Sequence, residues 1–232
     1  MNKLVTTPAL DVFEHMALDE TLVHECSGQV TLRFYNWVPG PALTFGYAQF
    51  VREVYAQAAT QHFAGTFCRR PTGGGVVYHT DDLTFSLIFR APGKPAEIYK
   101  NLHGAIHAAL LSGGLNSQVL NTKTPLIAYA PSQHNQASAC FANPVEHDVL
   151  AADGHKILGG AIRRFGDTVL YQGSLQLPQA RQTPAYKQAI INAVRGLLAV
   201  DLKIQPLPVQ LLGVARQLVK TQYNTAVWTE KF

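Results

Sequence analysis

The chain has 232 residues, 47% of them apolar and 15% charged, and a formal net charge of +4. That is long enough for one domain with a sizeable core, and no apolar run approaches the length of a membrane span. The small, scattered positive charge argues against nucleic acid as a partner, and three cysteines without CxxC spacing (Cys26, Cys68, Cys140) indicate neither a disulfide framework nor a zinc knuckle.

The first residues lack the apolar core and cleavage site of a signal peptide, so a cytoplasmic protein with reduced thiols is expected. In residues 11–25 the apolar positions Val12, Met16, Leu18, Leu22 and Val23 follow a helical period, with Asp19 and Glu20 expected outward and Gly28 as the stop. Short β-like runs follow at 30–37, 42–47, 66–70, 76–78 and 83–89, separated by Pro39-Gly40-Pro41, a glycine loop and residues 79–82. A helix is expected over 96–111, closed by Gly113-Gly114, then a polar irregular stretch over 121–137. Strands resume at 138–141, 149–151, 156–163 and 168–177, and helices at 184–198 and 207–221 close the chain. Strands in two blocks with helices before, between and after predict an α+β domain around one large sheet.

The segment Arg69-Arg70-Pro71-Thr72-Gly73-Gly74-Gly75-Val76-Val77-Tyr78-His79 is the most informative. Three consecutive glycines beside a strand mark close approach to the backbone, and the adjacent guanidiniums suggest a ligand with negative charge or a polarised oxygen. A plain glycine-rich turn is the competing reading. No Lys-Ser/Thr follows the glycines and they do not form GxGxxG, so known phosphate-loop patterns are excluded.

A second segment runs Gly154-His155-Lys156-Ile157-Leu158-Gly159-Gly160-Ala161-Ile162-Arg163-Arg164. As a strand it places Lys156 on one face with Leu158, Gly160 and Ile162, where a buried ammonium must find a partner. The alternative is a strand-end lysine reaching water. The third segment, Ser138-Ala139-Cys140-Phe141, offers Cys140 either as a small buried hydrophobe or, with Lys156 on the next expected strand, as a nucleophile.

Weaker candidates complete the set. His103 and His107 stand four apart on a helix, but no third metal ligand is evident. His147 and His155, to either side of Asp148, read as surface polar residues. Asp81 and Asp82 shape the turn that places His79. Cys26 and Cys68 read as packing.

Together these segments resemble the lipoate-protein ligase/octanoyltransferase superfamily, which shares a catalytic domain with biotin protein ligases. The matching pieces are Ala17-Leu18-Asp19-Glu20, Gly46-Tyr47-Ala48-Gln49, Arg69 to His79, Lys156 to Arg164 and Gln172-Gly173-Ser174-Leu175. The resemblance implies one catalytic domain over 1–232, a large mixed sheet flanked by helices, and no separate C-terminal accessory domain. It implies an acyl chain lying beside the glycine loop, held by Arg70, Thr72, Gly73, Gly74, Gly75, His79, Gly159 and Gly160, with Lys156 on its carbonyl or on an adenylate phosphate. Cys140-Phe141 and His79 to Ser86 look like the cysteine octanoyltransferase branch, which needs no cofactor and passes the acyl group through a Cys140 thioester. Gly75 is closer to the ligase branch, which uses ATP and Mg to form lipoyl-AMP and usually carries Asn-Asp where this chain has His147-Asp148. The implied partners are an acyl-carrier donor, octanoate or lipoate, and lipoyl carrier domains of the glycine cleavage H protein and 2-oxoacid dehydrogenase E2 kind; no nucleic acid, membrane or resident metal is implied. A catalytically silent binder of lipoate or biotin is the third reading, and the presence of Cys140, Lys156 and the glycine loop argues against it.

Overall fold

The computed structural model describes residues 1–121 and 144–232. Cys140, the expected strand at 138–141 and the irregular stretch at 122–137 therefore lie outside the described residues.

An eight-stranded mixed sheet forms the centre. In chain order its strands are β1 (Lys3–Thr6), β2 (Thr31–Phe34), β6 (Leu83–Arg90), β7 (Ser117–Val119), β8 (Val149–Ala151), β9 (Lys156–Phe165), β10 (Thr168–Leu175) and β11 (Lys203–Pro206). In space the order is β11-β1-β2-β6-β10-β9-β8-β7; β1 is parallel to both its neighbours and every other pairing is antiparallel. The expected runs at 42–47, 66–70 and 76–78 do not join this sheet. They form a second one, with β3 (Ala42–Phe45) between β4 (Thr66–Arg69) and β5 (Val76–His79). Its own small core explains the separation: Leu43, Phe45 and Val76 pack on Val51, Val54 and Ala58 of α2 (Val51–Thr60).

Two helix layers sandwich the large sheet. α1 (Val12–His24) begins with a reciprocal cap, in which the Glu14 amide donates to Asp11 at 2.8 Å and the Asp11 amide to Glu14 at 3.1 Å. It packs with α5 (Val209–Leu218), and their apolar residues share a core with Ile88 and Leu170 of the sheet. On the other face α3 (Pro95–Ser112) and α4 (Pro184–Leu198) pack together over Leu83, Phe85, Leu87 and Tyr171. A π-helical turn (Val219–Tyr223) and α6 (Ala226–Thr229) end the chain, so the helix expected at 207–221 is shorter and changes its winding. Among the described residues no helix is long and apolar enough to cross a membrane.

The two-residue period of β6 and β10 decides what each face carries. Leu83, Phe85, Leu87 and, opposite them, Leu175, Gly173 and Tyr171 face α3 and α4. Thr84 and Ser86, paired with Ser174 and Gln172, fall on the other face, and Arg33 of β2 continues the row beside Ser86. On β9 the partners of Ser174 and Gln172 are Gly159 and Ala161, both small. A polar row next to two small residues leaves a trough in that face.

Buried histidine makes the helical layer pH-sensitive. His103 is fully buried, its Nδ1 2.9 Å from the His147 carbonyl and its Nε2 2.8 Å from the Tyr171 hydroxyl. Burial, and then the Lys156 charge, lower its pKa from the ordinary 6.5 to about 3. Above pH 6.5 both folded and unfolded chains are neutral here; between 6.5 and 3 only the unfolded chain takes the proton. Stability is therefore expected to fall by up to about 1.4 kcal/mol per pH unit over that window, through this residue. Urea midpoints between pH 7 and 4 should slope less steeply in His103→Gln than in the parent; equal slopes would refute this assignment.

Candidate active site

The trough becomes a pocket because the second sheet roofs it. Thr44 of β3 and Val77 and His79 of β5 line a narrow cavity of about 30 Å³ with Thr84, Gln172, Ser174, Gly159 and Ala161, and Arg70, Tyr35 and Met16 complete its lining. Most of these side chains are polar, yet their polar atoms bond to one another. His79 Nδ1 lies 3.0 Å from Asp82 and its Nε2 2.8 Å from the Thr44 hydroxyl, while Thr84 and Ser174 each donate to Asp82 at 2.6 Å. Burial alone would raise the Asp82 carboxyl; the His79 charge and these hydrogen bonds outweigh it and hold it below the usual range. With the polar atoms so engaged, the pocket offers methyls, glycine backbone and ring faces, a surface that suits an alkyl chain.

One wall rests on a buried ion pair. Asp19, expected to point outward, is fully buried because Arg33, also fully buried, meets it at 2.7 Å. Ser86 donates to Asp19 at 2.6 Å, and the Tyr35 hydroxyl donates to the same carboxylate. The Gln172 amide donates to Asp19 at 2.7 Å and to Tyr35 at 3.0 Å, and the Gln172 carbonyl accepts from Thr72 at 2.6 Å. The glycine loop is thus tied through Thr72 and Gln172 to a charge pair on α1 and β2. Gln172→Ala is expected to weaken binding of a ligand in this pocket about tenfold, since about 1.4 kcal/mol of positioning is lost; unchanged affinity would contradict the tie.

The glycine loop is also pressed from outside. A Cβ on Gly46 would lie 1.9 Å from the Gly74 carbonyl oxygen, and Gly74 itself has φ +87°. Part of the close approach signalled by the glycines is therefore to the chain's own Gly46, which explains the match of both segments to one pattern. The guanidiniums are also used internally. Arg69 is fully buried and donates to the carbonyls of Tyr47, Gln49, Trp228 and Thr229, so it braces the C-terminal segment and corrects the reading of both arginines as ligand-facing. Arg70 lines the inner pocket and donates to the Gly73 carbonyl at 2.6 Å, fixing the loop. Thr72 and Gly75 are buried, and among the described residues neither lines this pocket or the cleft beside it.

A second, more open cleft of about 370 Å³ adjoins the first, with Gly160 and Ala161 in both walls. Gly73 and Gly74 bound it on one side, Tyr99 on another, and the turn Val145, Glu146 and His147 on a third. Behind it Lys156 is buried and pairs with Asp148 at 2.8 Å, which removes the reading of a lysine reaching water. Tyr99 donates to Asp148 and accepts from the Gly160 amide at 3.2 Å. Burial, then the Asp148 charge, raise the Tyr99 hydroxyl well above its ordinary pKa, so it stays protonated. Gly160 has no room for a side chain, because a Cβ would sit 2.4 Å from the Tyr171 ring.

Arg70, His79, Gly159, Gly160, Gly73 and Gly74 therefore gather around two adjoining cavities, with Lys156 held beside them and Cys140 outside the described residues. Asp148, Tyr99 and Thr44 were not singled out for a site role by the sequence. The signal for Asp148 was Lys156 itself, since an ammonium on an apolar face requires a carboxylate. His155 is exposed and bonded to Asp153, apart from both cavities. Cys68 is fully buried and its thiol pKa is raised by burial, as packing requires. His107 bonds to Ser117, and among the described residues no cluster of His, Cys, Asp or Glu is placed to hold a metal.

Residues 11–190 match the family described as lipoyl protein ligase A/B catalytic domain. The chain is 27% identical to octanoyltransferase LipM of Brevibacillus brevis, with 97% of each protein covered. It is 35% identical to octanoyltransferase LipM of Geobacillus kaustophilus over 70% of this chain, spanning 60% of that protein's length. In fold it is similar to a lipoate protein ligase of Thermoplasma acidophilum with bound lipoic acid, at 18% identity and a TM-score of 0.75, covering 100% of this chain and 98% of that one.

Proposed function

The chain belongs to the lipoyl protein ligase A/B catalytic domain family, and from that premise we propose that it moves an octanoyl or lipoyl group onto a specific lysine of a lipoyl carrier domain. The acyl chain lies in the inner pocket between Thr44, His79, Ser174 and Gly159, and the acceptor lysine enters through the outer cleft. The Cys140 thiolate attacks the carbonyl carbon of a carrier-bound acyl thioester; the new carbon–sulfur bond forms as the carrier thiolate leaves with its electron pair and takes a proton. Lys156, fixed by Asp148, steadies the thiolate and the carbonyl oxygen. The acceptor amine then displaces Cys140 from the acyl group. Lipoyl domains of the H protein and E2 kind are the acceptors on this reading, the setting is cytoplasmic, and one domain carries the whole reaction.

The observation that carries this reading over adenylate chemistry is the make-up of the outer cleft. Among the described residues its walls hold no Lys or Arg, and Glu146 stands there. The phosphates of a nucleotide call for cations or converging N–H groups, and a carboxylate repels them. The similarity to proteins named octanoyltransferase supports the same choice. Gly75, which resembles the ligase pattern, favours the ATP-dependent alternative. Incubation with octanoyl-acyl carrier protein and an apo-lipoyl domain, without ATP or Mg, should modify the acceptor. Modification only with free lipoate, ATP and Mg would replace this proposal by the ligase reading.

A further inference from the structure

A lysine amine attacks a thioester only without its third proton, and with an ordinary pKa near 10.4 fewer than about one in a thousand is ready at neutral pH. A base in the cleft would raise that fraction at the point of use. Lys156 is poorly placed for it, since Asp148 holds it at 2.8 Å as an ion pair and both side chains are buried.

Among the described residues lining the outer cleft, three have titratable side chains: Tyr99, Glu146 and His147. Tyr99 keeps its proton and donates it to Asp148. A carboxylate such as Glu146 is a weak base at neutral pH. Imidazole is the side chain suited to accept a proton there.

The backbone at His147 is held for a purpose. Its φ is +74°, a left-handed conformation that costs a non-glycine residue about 1–2 kcal/mol. It persists because the His147 amide donates to Leu120 at 2.7 Å, its carbonyl lies 2.9 Å from buried His103 Nδ1, and the next residue's carboxylate accepts the Val145 amide at 2.6 Å. His147 lines the cleft, as do Gly73 and Gly74 of the glycine loop. The charged and titratable groups around it are Glu146 at 3.9 Å on its own turn, Tyr99 and His103 on α3, and the Asp148–Lys156 pair behind.

We propose that His147 is a further catalytic residue, the base that takes the proton from the acceptor lysine's ammonium. This rests on the acyl-transfer reading above. The ammonium gives one proton to the imidazole; the freed amine bonds to the thioester carbonyl carbon; the carbon–sulfur bond breaks with its electrons on sulfur. The amide nitrogen's surplus proton goes to that sulfur, and the imidazolium returns its proton to water through the open cleft.

The two half-reactions can be timed separately, with octanoyl-acyl carrier protein as donor and an apo-lipoyl domain as acceptor. His147→Asn keeps the left-handed backbone accessible. It should acylate within about twofold of the parent but discharge to the acceptor about 100-fold more slowly at pH 7. The deficit should shrink as pH rises towards 9, and added imidazole should restore discharge in His147→Gly. Discharge at the parental rate in His147→Asn, or a pH-independent deficit shared by both half-reactions without imidazole rescue, overturns the proposal. A parent enzyme that is never acylated overturns the transfer reading and this proposal with it, whereas normal acylation with unaltered discharge in the variants overturns this proposal alone.

Discussion

Lys156→Ala is expected to lower acyl transfer about 10³-fold, the scale on which removing a group that steadies a developing oxyanion is felt. It should also destabilise the fold, because Asp148 would be left charged and buried without the ammonium it meets at 2.8 Å. Breaking a buried pair in this way costs about 3–5 kcal/mol. The two effects separate in a double variant. Lys156→Met with Asp148→Asn removes both charges, keeps much of the packing and leaves the amide able to bond with Tyr99 and the Val145 amide. Its urea midpoint should return most of the way to the parent's while transfer stays low. If activity returned along with stability, Lys156 would be a structural residue and its role in the reaction would be wrong.

Cys140→Ala is expected to abolish transfer, with a loss on the order of 10⁴-fold or more, as for removal of a covalent nucleophile. The other two thiols provide the control. Cys26 and Cys68 are both buried, and burial raises the Cys68 thiol away from the thiolate form. Cys26→Ala should therefore transfer at close to the parental rate. Near-normal transfer by Cys140→Ala would remove the thioester from the mechanism and leave the adenylate route.

Much of this was legible in the chain because the signals were local. Leu83-Thr84-Phe85-Ser86-Leu87 and Tyr171-Gln172-Gly173-Ser174-Leu175 alternate apolar with polar, and that period alone puts Thr84, Ser86, Gln172 and Ser174 on one face. The helix expected at 184–198 forms at Pro184–Leu198, begun by a proline at its first turn. What was missed depended on partners far away in sequence. Asp19 looked like a solvent acid on an amphipathic helix; the clue to its burial was Arg33 inside Thr31-Leu32-Arg33-Phe34, an otherwise apolar strand that had to supply a counter-charge. β1 and β11 are four-residue strands that pair in parallel across two hundred positions, so no hairpin turn announces them. α2 carries Val51, Val54 and Ala58 at helical spacing, but Phe50 before it makes no side-chain cap, and the start signal was absent.

The site shows the same division. The glycine loop and Lys156 were visible as departures from ordinary strand composition, while the residues that fix them, Gln172 for Thr72 and Asp148 for Lys156, act across strand registers and a bulge between β8 and β9. Such partners follow from requirements rather than motifs: a buried cation needs a carboxylate, and a loop hydroxyl inside a fold needs an acceptor.

In the proposed reaction the acyl group passes through a cysteine of this chain without nucleotide. Intact-mass measurement after mixing the protein with octanoyl-acyl carrier protein, with no ATP, tests it most directly. One octanoyl adduct is expected, which hydroxylamine removes, which maps to Cys140 and which disappears when an apo-lipoyl domain is added. An unmodified enzyme beside an acceptor that becomes acylated only when ATP and Mg are supplied would contradict it.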